Sequence, residues 1–295
     1  MTRLGVVFLP QLPPERLREV ALAADEAGLE ELWLWEGCFF GSAVALAAAA
    51  LAWTERLRLG IGLLPVPLRN VALTAMEIAT LQRLFPGRVR VGVGHGVQSW
   101  MGQVGARPPS PLRLLREHVV ALRALLEGKE VSTDGTYVKL DRVKLDWPPH
   151  QPHELLMGAT GPLSLRLSGE LADGTILTGG TSLDAMHRAR ALVEQAKAAS
   201  GHRGPHHMVA YLLAATGPGA RARLKRQYQT WGLGPGEGVG VAGDANDVAQ
   251  VIDEWARAGA GTVVLQPTGD EPDIGGFIRF VAEEVRSLLR PSGPG

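Results

Sequence analysis

Three short stretches carry residue types able to do chemistry. In ELWLWEGCFF, residues 31–40, an apolar run stops on Glu36, Gly37 and Cys38, the only cysteine of the chain. A carboxyl can give or take a proton. A thiol, with a reference pKa of about 8.5, can donate one or stand beside a hydride site, though less readily than an imidazole. Each has a plain alternative: Glu36 as an ion-paired turn residue, Cys38 as a small buried residue that leaves room for a bulky substrate. In VGVGHG, residues 91–96, a strand ends almost wholly in glycine. Gly94 lets a backbone approach a ligand closely, and His95 either hydrogen-bonds that ligand or caps the turn.

The third feature is a repeated turn. MGATGP (157–162) leaves a strand, passes through Gly158, Ala159, Thr160 and Gly161, and enters a helix with proline in its first turn. LTGGTS (177–182) does the same one unit later through Thr178, Gly179 and Gly180. Small residues expose backbone N–H groups, and a helix N-terminus favours an anion, so two successive turns can jointly hold one phosphate. Phe39, Trp100 and Met101 are candidates for an aromatic substrate pocket, the last two lying in a loop beyond a strand. Trp33 and Trp35 fit either a pocket or barrel packing, because strand residues alternate between two faces.

Other motifs fail on context. GVGVAG (238–243) fits G-x-G-x-x-G by its letters. It follows an irregular stretch rather than a strand, so it reads as a loop ending in an Asp-capped helix. His150 with His153, and His202 with His206 and His207, lack helical metal-ligand spacing and a partnering carboxylate. No nucleophile elbow and no P-loop occur.

The elements that must position these residues alternate along the whole chain. LGVVFLP reads as a strand buried on both faces. The next helix puts Leu17, Val20, Ala21 and Ala24 on one side, with Pro14 in its first turn and Gly28 past its end. LWLW, LRLGIGLLP and RVRVGVG are further strands. They are separated by an alanine-rich helix and by a helix with an asparagine cap and a Pro-Gly stop. After a helix over 111–128, EVSTDGTYVKL carries an Asp-Gly hairpin signal and reads as an insertion after the fourth βα unit. Four more strands with helices close the chain. Eight such units predict a (β/α)8 TIM barrel, a single domain over residues 1–295, with any active site at the C-terminal ends of the strands. An open doubly wound sheet is the alternative, but the first turn offers no phosphate fingerprint.

Composition bounds the partners. The chain has 295 residues, 45% hydrophobic and 20% charged, with 30 basic and 30 acidic side chains. That balance gives no footprint for nucleic acid or an anionic membrane. The apolar runs are too short for a signal-peptide core or a membrane span. A cytoplasmic protein acting on a small molecule is expected.

The same stretches resemble the luciferase-like flavin and deazaflavin oxidoreductases of the bacterial-luciferase superfamily. The resemblance rests on LGVVFLPQLPPE, AADEAGLEELWLWE, LRLGIGLLPVPLRNVALTAMEIATLQRLFPGRVRVGVGHG and GATGPLSLRLSGELADGTILTGG. The opening strand and the length look most like the branch that uses coenzyme F420, an 8-hydroxy-5-deazaflavin. The resemblance implies a ring lying across the barrel mouth and a non-proline cis peptide at Gly62–Leu63. It implies coenzyme phosphate at the two small-residue turns and a homodimer packed through the alanine-rich helices. It also implies an acid followed closely by a histidine near the reactive ring carbon. Glu36 matches the acid, whereas Gly37 and Cys38 stand where the histidine belongs. Hydride transfer by F420 is the activity implied. An FMN-dependent monooxygenase and a catalytically silent flavin-binding barrel are the alternatives.

Overall fold

A computed structural model describes residues 2–151, 154–233 and 238–289. The chain begins with β1 (Arg3–Val7), α1 (Leu17–Glu26), β2 (Glu31–Leu34), α2 (Ala43–Trp53), β3 (Arg58–Pro65) and α3 (Val71–Leu84). It continues with β4 (Val89–Gly94), α4 (Gln98–Gln103) and α5 (Pro111–Leu126), then the hairpin β5 (Val131–Asp134) and β6 (Lys139–Val143). There follow β7 (Leu155–Gly158), α6 (Pro162–Leu171), β8 (Gly174–Leu177), α7 (Leu183–Ser200), β9 (His207–Ala215), α8 (Ala220–Trp231) and β10 (Gly240–Ala242). The last elements are α9 (Ala245–Arg257), β11 (Thr262–Pro267), α10 (Ile274–Arg279), a π-helical turn and α11 (Arg286–Leu288). Strands β1, β2, β3, β4, β7, β8, β9 and β11 pair in parallel and close on themselves. The expected eight-stranded barrel is formed, and the antiparallel hairpin follows the fourth unit as expected.

Two apolar layers hold it together. The larger lies between strands and helices, and includes Leu32 and Leu34. The smaller fills the barrel and includes Val7, Trp33, Ile176, Val209, Tyr211 and Val264. Strand side chains alternate with a period of two, so Glu31, Trp33 and Trp35 share the inward face and climb from base to mouth. Trp33 is fully buried. Its ring fits because Gly5 and Gly60 lack a Cβ that would overlap it.

Below Trp33 a polar plug closes the base. Trp33 Nε1 donates to Glu31 Oε2 (2.9 Å). Arg90 donates to both Glu31 oxygens (3.2 Å each), to Glu154 (2.7 Å) and to Thr262 (3.0 Å). Charges this deeply buried persist only when paired and hydrogen-bonded.

One unit departs from the simple alternation. Strand β8 pairs with β9 as far as Ala210, and β10 takes its place beside β9 from Leu213 onward. The sequence 238–243, expected to be a loop, therefore contains this short strand. The Asp cap was correctly read, since Asp244 and Asp247 form a reciprocal capping box at the start of α9. Helix α8 leans on the turn after β11. Gly269 N–H donates to Gln227 (2.8 Å), Arg226 pairs with Asp270 (2.6 Å) and Arg223 with Glu271 (3.3 Å).

The hairpin is pinned by one side chain. Glu117 on α5 accepts from the N–H groups of Thr136, Tyr137 and Val138 and from Arg113. Among the described residues, no helix is long and apolar enough to cross a membrane.

Candidate active site at the barrel mouth

The strand ends surround a cavity of about 420 Å³. Its floor is made by a break in β3. The β3–β4 register shifts between Ile61 and Leu64, and the Gly62–Leu63 peptide is cis, as the resemblance implied. A second non-proline cis peptide, Cys38–Phe39, follows β2. Bulges of this kind re-aim a side chain; here Leu63 is the one moved. It fits across the ends of β4 and β7 because a Cβ on Gly94 or on Gly158 would overlap its methyl groups. Gly62 is likewise required by Tyr211, whose O–H donates to the Gly62 carbonyl (3.3 Å). Tyr211 in turn meets Trp35 edge-on with centroids 5.9 Å apart.

Glu36 enters the cavity just beyond β2. Its N–H donates to the Leu63 carbonyl (3.2 Å), and its Oε1 accepts from Arg69 Nη2 (2.9 Å). Its Oε2 is buried without a hydrogen-bond partner. Arg69 is held by the turn before α3, where Asn70 caps the helix by accepting from Ala72 N–H (2.8 Å). The Glu36 carboxyl is pushed above its ordinary range, first by burial. Arg69 and the nearby Ala43 N–H oppose the shift, and Glu77 adds to it. Burial, with the Glu36 charge in support, also raises the Cys38 thiol, which therefore stays protonated. His95 lines the cavity with its Nδ1 unpartnered. Burial lowers its pKa against the opposing effect of the Pro111 backbone, so the ring is neutral.

The fold brings ten of the residues singled out in the sequence to this cavity: Glu36, Gly62, Leu63, His95, Trp100, Gly158, Ala159, Thr160, Thr178 and Gly179. Others stand back from it. Gly94 makes room for Leu63, and Gly161 is the N-cap of α6, its carbonyl accepting from Ser164 Oγ (2.9 Å). Gly180 supplies a left-handed turn with φ 89°. Cys38 is buried and Phe39 is 63% exposed, and neither is among the residues that line the cavity. Met101 is fully buried under Gly96, so it belongs to packing and not to the pocket. Of the two tryptophans left open, Trp33 is core and Trp35 lines the cavity. His150 faces Arg83, His202 faces Asp173, and His206 meets Thr175 (2.8 Å), all apart from the mouth. His153 lies outside the described residues. Among the described residues no three His, Cys, Asp or Glu side chains gather as a metal site.

Sequence reasoning missed Tyr211, Trp231 and Gln266, which also line the cavity, as do Pro65, Val97 and Ser164. Gln266 was the most accessible of these, a polar residue ending the apolar run TVVLQP. Trp231 gave no local signal. It arrives because α8 lies against the β11 turn, which carries the ring over Gly179.

The architecture matches known proteins. The model of the family described as luciferase-like monooxygenase matches residues 2–259. The chain belongs to that family. Among curated members, it is 25% identical over 278 residues to the 5,10-methylenetetrahydromethanopterin reductase of Methanolobus tindarius, covering 93% of this chain and 78% of that one. It is 33% identical over 193 residues to the F420-dependent glucose-6-phosphate dehydrogenase of Beutenbergia cavernae, covering 61% of this chain and 57% of that one. The chain thus spans little more than half the length of that second relative. Among solved structures, an F420-dependent secondary alcohol dehydrogenase bound to an F420-acetone adduct superimposes with TM-score 0.86. It is 21% identical and is matched over 98% of this chain and 99% of its own. An FMN complex of the oxygenating constituent of 3,6-diketocamphane monooxygenase from Pseudomonas putida gives TM-score 0.78 at 17% identity, covering 98% of this chain and 99% of that one. At such identities these likenesses establish the family's fold.

Proposed function

We propose that this member of the family is an F420-dependent oxidoreductase that moves a hydride between the deazaflavin and a small organic substrate. The observation that carries the reading is the shared mouth. The Glu36 carboxyl, a bulged β3 floor and two small-residue turns all line one cavity of about 420 Å³. The relatives named for F420 dependence support it.

The residues fit such a coenzyme. Gly179 is a cradle that a Cβ would fill, since that atom would lie 3.0 Å from both Gln266 and Trp231. The N–H groups at the start of α6 and α7 would receive an anionic phosphate beside Thr178. Leu63 would support the ring. The deazaflavin, when bound, supplies or takes up the hydride.

The chain's own part is orientation and proton handling. Glu36, which lines the cavity, would give a substrate oxygen a proton as the hydride reaches the neighbouring carbon. The neutral imidazole of His95 would hold the substrate by hydrogen bonding. Trp35, Trp100 and Trp231 would form an apolar wall that excludes water and suits an apolar or aromatic substrate. Cys38, its thiol kept protonated, takes no part in the lining.

The matched FMN complex favours a second reading, an FMN-dependent monooxygenase on the same scaffold. A mouth filled by Trp100 or Phe39 would support the silent-barrel alternative; the cavity is open, and Phe39 is exposed and does not line it. Titration of the purified protein with oxidised F420 and with FMN, read by tryptophan fluorescence, separates the readings. Saturable quenching by F420 alone is expected. Quenching by FMN alone would replace the first reading by the second, and binding of neither to folded protein would overturn both.

We also propose a cytoplasmic homodimer joined through α2 and α3, whose outer faces expose Trp53, Leu73, Met76 and Leu84. Sedimentation equilibrium tests it; a monomer at micromolar concentration would refute it.

A further inference from the structure

Behind the cavity lies a cluster that the reading above does not use. Arg69 is shared between two carboxylates: its Nη2 is 2.9 Å from Glu36 Oε1 and its Nε 3.3 Å from Glu77 Oε2. The side chains of Glu36, Arg69 and Glu77 are 11%, 12% and 22% exposed. The second contact is an ion pair without hydrogen-bond alignment, so Arg69 Nε and Glu77 Oε2 are both buried and unbonded. One cation facing two ionised carboxylates leaves a net charge of −1 away from water. Binding a single proton neutralises the cluster, and desolvation favours that neutral form. Glu36 is the more buried acid; its Oε2 has no hydrogen-bond partner, and the residue lines the cavity.

We propose that Arg69 and Glu77 are positioning residues: Arg69 fixes the Glu36 side chain at the cavity wall, and Glu77, by offsetting the Arg69 charge, keeps Glu36 a carboxylic acid there. The three side chains together then serve in place of the imidazole expected just after Glu36, where Gly37 and Cys38 stand. This deepens the oxidoreductase reading and rests on it for the identity of the proton acceptor.

The other groups around Glu36 agree with this assignment. Cys38 on the same loop is a neutral thiol, and His95 across the cavity is a neutral imidazole. At the start of α2 only the Ala43 N–H favours the anion. Glu77 is thus the one like charge at hand, and Arg69 the one cation.

The step balances for a carbonyl substrate and a reduced deazaflavin. The hydride brings two electrons to the carbonyl carbon, and the carbon–oxygen π bond breaks. The oxygen then takes the Glu36 proton as an O–H bond forms and the Glu36 O–H bond breaks. The carboxylate left behind is neutralised by Arg69 until water reprotonates it. Alcohol oxidation runs the same steps in reverse.

The test needs no coenzyme. Infrared absorption of the protonated carboxyl is followed through a pH titration of the whole protein, and Glu36→Gln identifies the Glu36 band by its loss. The band should persist above the ordinary glutamate range of about 4.3. Glu77→Gln should move its midpoint down by about one pH unit, and Glu77→Asp should restore it. The acid–base limb of kcat/KM should move with the band. A wild-type midpoint at or below the ordinary range overturns the proposal even if Glu77→Gln fails to fold. An unchanged midpoint in folded Glu77→Gln overturns it as well. Titration as stated, with no binding of F420 or FMN, would instead overturn the oxidoreductase reading while upholding the carboxyl geometry.

Discussion

Glu36 is costly to keep where it is. A carboxyl this buried is retained against its desolvation by Arg69 on one oxygen, while the other has no hydrogen-bond partner. Replacing it by glutamine preserves the shape and removes the proton. Glu36→Gln should therefore lower the rate of hydride transfer by about 10²–10⁴-fold, the usual range for a general acid, while F420 binding stays near wild type. Stopped-flow absorbance of the deazaflavin measures both. Cys38→Ala should leave the transfer rate within about threefold, because Cys38 does not line the cavity and a small apolar side chain replaces it at little cost. A loss as large as that of Glu36→Gln would return Cys38 to the chemistry. Both residues could be singled out in the sequence because an apolar run stopped on them. Their different placement could not, since it depends on the turn after β2 and on Arg69, which is 33 positions downstream of Glu36.

At the scale of elements, the sequence was most legible where local rules act alone. The asparagine cap of α3, the proline start of α6 and the Asp-Gly hairpin are each fixed by a few neighbouring residues. It was least legible in α8 and β10, whose positions depend on contacts with the β11 turn and with β9. Trp231→Ala should therefore weaken coenzyme or substrate binding while leaving the fold intact, because the ring is partly exposed and lies over Gly179. Unchanged dissociation constants for both would show that α8 merely borders the site. The hairpin gives a pH prediction. Burial tends to raise the Glu117 carboxyl, but the Tyr137 and Val138 N–H groups, Arg113 and the Thr136 N–H outweigh it and bring its pKa to about 2. A carboxyl depressed by folding contributes stability above its unfolded pKa, about 4.3, and loses it as pH falls toward the folded value. Amide exchange at Thr136, Tyr137 and Val138 should thus accelerate between about pH 4.3 and about pH 2, and Glu117→Gln should abolish that pH dependence.

For the whole molecule, the two ends of the barrel are built for opposite purposes. The base is closed by Glu31, Glu154 and Thr262, each hydrogen-bonded to Arg90, beneath Trp33. The mouth leaves Glu36 Oε2 and His95 Nδ1 without partners. Polar groups at the base serve stability and those at the mouth face a ligand, in keeping with the two faces of this fold. Arg90→Met would strand the fully buried Glu31. It should cost about 3–5 kcal/mol in urea unfolding, with the proton chemistry at the mouth unaffected in the protein that remains folded. The eight-unit alternation was readable from end to end because each strand is a short apolar run between helices with clear caps. The plug was not, since its residues come from strands far apart in the chain and look in sequence like ordinary strand-entry charges.

Leu63 and the glycines on either side of it also constrain how this chain can change. A side chain at 94 or 158 is excluded only while Leu63 occupies the space between them. Gly158→Ala in the native background should cost about 1–3 kcal/mol as an overpacked core. The same change in a Leu63→Ala background should cost much less, a coupling that a double-mutant cycle would report directly. The three positions therefore vary as a set. A lineage that loses the leucine frees both strand ends to acquire side chains, and once those appear the leucine cannot return.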